Sequence, residues 1–262
     1  MSDSAMSDSA MSDSATRQEA PLALTAERLT KRFGGVTAVD DCTLTVREGS
    51  LTGLIGPNGS GKTTLLNMVS GYVRPDSGQV QLFGRPLSCA SPTIPYRRGL
   101  SRTFQRARVF PHITVRENLY AAIPHRGLAV LRAGLAPEVR ERAESLLAGF
   151  GLTARAGVPA GELSYGQQKL LEFATVLMSS PRVLLLDEPT AGVNPVLIDT
   201  MVERIRELHA QGVTVVVVEH NMEFVMNLCD TVVVLDHGTA LFEGPPAIVQ
   251  SNALVLSAYL GD

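Results

Sequence analysis

The run Gly56-Pro57-Asn58-Gly59-Ser60-Gly61-Lys62-Thr63-Thr64 constrains this chain more than any other stretch. It fits G-x-x-x-x-G-K-[ST], a phosphate-binding loop. The apolar run from Leu51 to Ile55 before it reads as a short strand. Leu65 to Val69 after it reads as a helix that stops at Gly71. Strand, glycine loop and helix is the context the motif needs. Gly56, Gly59 and Gly61 let the backbone curl, so that N–H groups through Asn58 and Ser60 converge on phosphate oxygens. The helix start adds a favourable dipole. Lys62 is expected to reach the β- and γ-phosphates and Thr63 to hold Mg²⁺.

A chain of 262 residues with 45% hydrophobic residues has room for one large α/β domain, or a core with an inserted lobe. The net charge of −3 gives no basic footprint for nucleic acid. Arg97, Arg98, Arg102, Arg106 and Arg108 are weighed as a solvated face against a binding role. Cys42, Cys89 and Cys229 are far apart and follow no metal-ligand spacing, which suits incidental thiols in a reducing compartment. No apolar run approaches the length of a membrane span. From Met1 to Ala15 the sequence reads MSDSA three times. It lacks the basic and apolar regions of a signal peptide, and residues 1–21 are expected to be disordered.

Short strands are expected at Leu22–Leu29, Cys42–Val46, Leu51–Ile55 and Gln79–Phe83. Residues 106 to 162 read as mostly helical. In a run opened by Pro137 and closed by Gly151, Val139, Ala143, Leu146, Leu147 and Phe150 share a face. Strands return at Val183–Leu186, Val213–Val218 and Thr231–Leu235. Between the first two lies a helix with Asn194 as N-cap, Pro195 at its first position and Gly212 beyond its end. Continuous β-branched strands alternating with helices imply a parallel sheet covered on both faces. The middle segment, about 106–165, then reads as a helical subdomain inserted into the core.

Four further stretches narrow the chemistry. Val183-Leu184-Leu185-Leu186-Asp187-Glu188 is a buried strand ending in two carboxylates. Asp187 is placed to hold Mg²⁺ and Glu188 to polarise an attacking water; the bland alternative is an acidic strand end facing solvent. Gln105 sits where core meets helical segment. It suits a ligand to Mg²⁺ or to the lytic water, or a plain surface glutamine. Leu163-Ser164-Tyr165-Gly166-Gln167-Gln168 precedes an apolar helix face. Ser164 is a good N-cap, which is the structural reading. The functional one is an anion site at the helix start, with Gly166 allowing close approach. His220 ends a core strand on the edge where open α/β sheets bind ligands.

In this order and spacing, GPNGSGKTT, FQ, LSYGQQ, LLLDEP, AGVNP and EH resemble the ATP-binding subunit of an ABC transporter, over about residues 22 to 262. The resemblance implies a P-loop NTPase core with a parallel sheet, an N-terminal antiparallel β subdomain and the inserted helical subdomain. It implies Phe33 as the aromatic on adenine, where the alternative is a core phenylalanine at a strand end. Lys62, Thr63 and Thr64 become phosphate and Mg²⁺ contacts, and Gln105 couples a lid. Ser164, Gly166 and Gln167 form the signature loop. Asp187 and Glu188 are the Walker B pair, Asn194 lies at a dimer interface, and His220 is the switch histidine. The cofactors are ATP and Mg²⁺. The partners are a second copy or a paralogous ATPase subunit, transmembrane permease subunits and, indirectly, a solute-binding protein, at the cytoplasmic face of the membrane. No nucleic acid is expected.

Within that family, RFGG, RTFQ, YGQQ and the ending AYLG are similar to the branched-chain amino acid importer group. Urea and amide importer ATPases share these features, as do lipopolysaccharide exporters less closely. Tyr165 stands where most members have glycine, although the amino acid group often has tyrosine, and Asn221 replaces the aspartate that usually follows the switch histidine. A soluble ABC-type ATPase acting on nucleic acid or ribosomes is the alternative from another class. A small-molecule P-loop kinase leaves LSYGQQ unexplained.

Overall fold

The computed structural model describes residues 20–88, 91–123 and 136–260. The MSDSA repeats, Cys89 and Gly261 lie outside the described residues. The chain opens with β1 (Leu22–Phe33) and β2 (Val36–Arg47), an antiparallel hairpin turned by Gly34-Gly35. β3 (Leu51–Ile55) leads through the glycine loop into α1 (Lys62–Val69). β4 (Ser77–Leu82), β5 (Arg85–Leu87), α2 (Thr93–Arg97) and β6 (Leu100–Arg102) follow. The middle segment holds α3 (Val115–Ala121), α4 (Pro137–Gly149) and short 3-10 turns at Thr153–Arg155 and Ala160–Glu162. Then come α5 (Tyr165–Leu177), β7 (Val183–Asp187), α6 (Pro195–Ala210), β8 (Thr214–Val218), α7 (Met222–Leu228), β9 (Thr231–Asp236), β10 (Thr239–Gly244), α8 (Pro246–Ser251) and α9 (Ala253–Leu260).

Two sheets result. An antiparallel sheet has the order β2-β1-β4-β5, and a second has the order β10-β9-β3-β8-β7-β6. In the second, β3 pairs in parallel with both β8 and β9, β8 with β7, and β7 with β6. β10 closes one edge antiparallel to β9. β3, β7 and β8 are buried at every position, as continuous apolar runs in a covered sheet should be.

Two apolar clusters form, one on each face of this sheet. One packs α1 between the two sheets, around Leu24, Leu44, Leu65 and Val183. The other packs α3 to α7 on the opposite face, around Leu147, Phe173, Leu186 and Val217. Ala143, Leu147 and Phe150 of the α4 stripe are buried, and Val139 and Leu146 pack at its margin.

β1 and β2 each run longer than the apolar pattern suggests, because one face of the hairpin is exposed and carries polar residues. β5, β6 and β10 are too short or too polar to stand out in sequence. Residues 106–113 are not helical, so the middle segment is less regular than its composition implies.

Gly53 explains how α7 approaches the sheet. A Cβ there would lie 2.6 Å from Val225 Cγ1 and 3.1 Å from Cys229 Sγ. Gly53→Ala should therefore cost about 1–3 kcal/mol by overpacking. A lower urea midpoint at unchanged m-value checks it; an unchanged midpoint would mean α7 is free to move away.

Candidate active site

Gly61 caps α1 in the left-handed region, with φ at 100° and no side-chain cap. A Cβ at that position would sit 2.4 Å from the Ala38 carbonyl oxygen, so only glycine fits. The first-turn N–H groups of α1 are thus not claimed by a cap and form an anion cradle. Lys62 is buried. Its Nζ donates to the carbonyls of Gly56 (2.7 Å) and Pro57 (2.8 Å) and to Ser60 Oγ (3.3 Å). Burial lowers its pKa, against the raising charges of Glu188 and Asp187.

β7 delivers Asp187 into the interior. Its Oδ2 accepts from Arg102 Nη2 at 2.7 Å, in an ion pair whose side chains are only 4% and 3% exposed. Arg102 Nη1 donates to Asn67 Oδ1 (2.8 Å) and Ser70 Oγ (3.0 Å) on and beside α1. The solvated-face reading is therefore corrected for Arg102: β6 carries it into the sheet, where a buried guanidinium needs these partners.

Asp187 Oδ1 is buried without a hydrogen-bond partner among the described residues. Such an orphan oxygen is costly unless a donor or cation meets it. Among the described residues no group of three or more His, Cys, Asp and Glu could hold a metal. Mg²⁺ commonly takes one or two carboxylates and completes its shell with waters and substrate phosphates. The unpartnered Asp187 oxygen fits the carboxylate part of that donor set.

Glu188 follows with φ at 47°, a region that a glutamate seldom adopts. Its N–H donates to the Val218 carbonyl at 2.9 Å, which anchors the turn to β8. Its Oε2 accepts from Gln105 Nε2 at 2.9 Å. Two residues that sequence spacing leaves unrelated thus meet directly. The bland alternative of an acidic strand end facing solvent fails for Asp187, which is 2% exposed.

His220 presents a side chain that is 60% exposed, with Nδ1 3.7 Å from Glu219 Oε2. Glu219 is wholly buried. It accepts from Thr190 N (2.8 Å), Thr190 Oγ1 (2.7 Å) and His220 N (3.1 Å), tying the loop after β7 to the loop after β8. Asn221 caps α7, its Oδ1 accepting from Phe224 N at 3.1 Å. Asparagine and aspartate cap about equally well, so this departure keeps the local structure.

Ser164 and Gln167 form a capping box at the start of α5, Ser164 Oγ accepting from Gln167 N and Gln167 Oε1 from Ser164 N. Gly166 is buried, and a Cβ on it would lie 2.8 Å from Leu197 Cδ1. Close packing of α5 on α6 is one reason for that glycine. Phe33 is 50% exposed at the end of β1, outside both apolar clusters, with Lys31 Nζ 5.5 Å from its ring centre. Among the described residues no hydrogen bond joins Phe33, Ser164 or Gly166 to Lys62, Asp187, Glu188 or His220.

Sequence reasoning gave no role to Arg102, Lys169, Glu172 or Glu219. The legible signal was charge inside apolar patterns: Glu219 ends a valine run, and Glu172 lies amid the apolar residues of α5. Glu172 Oε1 accepts from the N–H groups of Phe104 (3.2 Å) and Arg108 (3.2 Å). Burial pushes its pKa up to about 7, although these hydrogen bonds and the charges of Lys169 and Arg108 pull it down.

A phosphate cradle, a buried lysine, an orphan aspartate oxygen and a paired glutamate on one sheet edge define a P-loop ATPase. The ABC transporter family pattern matches residues 39–191. The chain belongs to the ABC transporter family. It is 40% identical over 250 residues to the high-affinity branched-chain amino acid transport ATP-binding protein BraF of Pseudomonas aeruginosa, covering 91% of this chain and 98% of that protein. It superposes with a TM-score of 0.81 and 33% identity on the ADP conformation of an ATP-binding cassette of an ABC transporter, covering 92% and 99% of the two chains. A dimeric post-hydrolysis cassette bound to ADP and Pi matches at a TM-score of 0.73 and 26% identity, covering 85% and 98%.

Glu172 sets a pH dependence. Its folded pKa lies above the unfolded value of 4.5. Below 4.5 both states are protonated. Between 4.5 and 7 the unfolded chain ionises first, so stability should fall as pH rises and level off above 7. The loss is about 3 kcal/mol at most. Glu172→Gln should flatten that slope in urea titrations taken across this window; parallel slopes would place the proton elsewhere.

Proposed function

We propose that this chain is the ATP-hydrolysing subunit of an importer for branched-chain or chemically related amino acids. The Gln105–Glu188 hydrogen bond beside the buried Asp187 carries the hydrolytic part of this reading. In it, Lys62 and the first turn of α1 hold the β- and γ-phosphates. Glu188 accepts the proton of the attacking water, and Gln105 orients that water. His220, exposed at the same edge, donates to the γ-phosphate. Thr63, Gln105 and Asp187 would hold Mg²⁺, which would neutralise phosphate charge. The half-exposed Phe33 stacks on adenine. The name of the Pseudomonas relative supports the amino acid assignment.

The cassette works as a pair. Ser164, Gly166 and Gln167 lie outside the hydrogen-bonded cluster around Lys62 in one chain, so a second copy or a paralogue supplies them to the γ-phosphate. The dimeric cassette that this fold matches supports that arrangement. No helix among the described residues is long and apolar enough to cross a membrane. The chain would then reach the cytoplasmic membrane face through permease subunits.

A cleft of about 260 Å³ lined by Tyr72, Tyr96, Arg102, Ala122 and Val176 is where this reading puts the contact with a permease subunit. Arg108 stacks over Phe104 (3.4 Å) and reaches Tyr72 (5.9 Å) at its rim, while Phe110 is 62% exposed nearby in sequence.

Glu188→Gln keeps shape and removes the base, so hydrolysis should fall by roughly 10²–10⁴-fold while ATP still binds. Under ATP that variant should sediment as a dimer, alone or with a paralogue. Turnover at the parent rate would remove Glu188 from the role. Phe33→Ala should weaken ATP binding by about 1–3 kcal/mol, by analogy with base stacking elsewhere, at an unchanged melting temperature. Vesicles carrying the complete transporter should accumulate leucine, isoleucine or valine with ATP; uptake of urea or short amides instead would reassign the solute.

A further inference from the structure

Tyr165, Lys169 and Glu172 are spaced i, i+4 and i+7 on α5, so they lie along one helix face. That face meets the backbone around Gln105. Tyr165 Oη donates to the Gln105 carbonyl at 3.2 Å. Lys169 Nζ donates to the Phe104 carbonyl at 3.1 Å and to the Glu188 carbonyl at 3.2 Å. Glu172 Oε1 accepts from Phe104 N and Arg108 N, both at 3.2 Å. Lys169 and Glu172 are each 3% exposed, so their contacts are largely shielded from water, while the Tyr165–Gln105 bond is exposed. The Tyr165 ring also packs on Gly192, where an added Cβ would lie 3.0 Å from Cε1.

Among the described residues the backbone of 104–108 makes no hydrogen bond to other backbone, whereas that of Glu188 is also held by the Val218 carbonyl at 2.9 Å. Gln105 is exposed, the segment from Thr103 to Pro111 is neither helix nor strand, and Glu188 sits in a left-handed conformation. The side-chain bond between Gln105 and Glu188 needs both backbones in place. Lys169 holds a carbonyl from each side of that bond with one ammonium. Charged donors to buried carbonyls are among the stronger hydrogen bonds.

We propose that Tyr165, Lys169 and Glu172 are positioning residues that fix Gln105 and Glu188 to α5, the helix that the signature loop opens. Tyr165 thereby has a task that glycine in the same place could not perform. This inference rests on the assignment of Glu188 and Gln105 to hydrolysis. None of the three residues touches the reacting atoms. Their effect is on where Gln105 and Glu188 stand, so the rate of the chemical step should suffer while nucleotide affinity holds.

The test uses the full chain with Mg-ATP. Tyr165→Phe keeps the ring on Gly192 and removes only the donor to Gln105. It should lower kcat about 3- to 10-fold at unchanged KM and unchanged melting temperature. Lys169→Met should lower kcat by at least about 10-fold, and Lys169→Arg, which keeps a donor, should recover most of it. In both Tyr165→Phe and Lys169→Met, amide hydrogen exchange should quicken at 104–108 and stay unchanged in β7. Parent kcat in both variants would overturn the proposal. So would a rise in KM alone, or a fall in kcat that tracks a global loss of protection. If the parent itself did not hydrolyse ATP, the proposed function would fall. Exchange at 104–108 would still decide whether α5 holds that segment, and unaltered exchange in the variants would overturn it.

Discussion

Parallel pairing of β3, β6, β7 and β8 brings the chemistry of this protein to one sheet edge. Parallel strands all end on the same side, and their crossovers must return over a face of the sheet. The glycine loop leaves β3, Gln105 follows β6, Asp187 ends β7 and Glu188 succeeds it, and His220 follows β8. Ligands of open α/β sheets bind outside the carboxyl ends of the strands for this reason. A slip of register between β7 and β8 would move Glu188 away from the Val218 carbonyl that anchors it.

At that edge, buried charge is handled by mutual satisfaction. The Arg102–Asp187 pair is dry, and Arg102 spends its second nitrogen on Asn67 and Ser70, so β6, β7 and α1 share one polar network. Glu219 does the same for the loops after β7 and β8. Removing one partner of such a pair leaves an uncompensated charge, while the intact pair adds little net stability. These networks therefore serve geometry more than stability. They leave Asp187 Oδ1 and Arg102 Nε buried without a hydrogen-bond partner among the described residues. A loop of irregular backbone beside the Glu188 carboxylate needs hydrogen bonds that no strand or helix provides, and the lysine and glutamate of α5 supply them.

The sequence by itself determined the phosphate loop, the order of motifs and the alternation of strands with helices. These are local: a glycine pattern, a run of β-branched residues, a cap with its following proline. Lys62, Asp187 and Glu188 were legible because their neighbours within a few residues dictate where they point. The cap at Asn194 was legible for the same reason. β5, β6 and β10 were not, because three to six residues of mixed polarity carry no period. What only the tertiary structure decided was which distant residues meet. Gln105 and Glu188 are 83 positions apart, and Arg102 and Asp187 are 85. Arg102 stood open between a solvated face and a binding role until β6 took it into the sheet. Tyr165 read as a departure from a family pattern until its hydroxyl met Gln105. Contacts of that range depend on the packing of whole elements, and a single sequence records its own neighbours but not the elements that come to lie beside them.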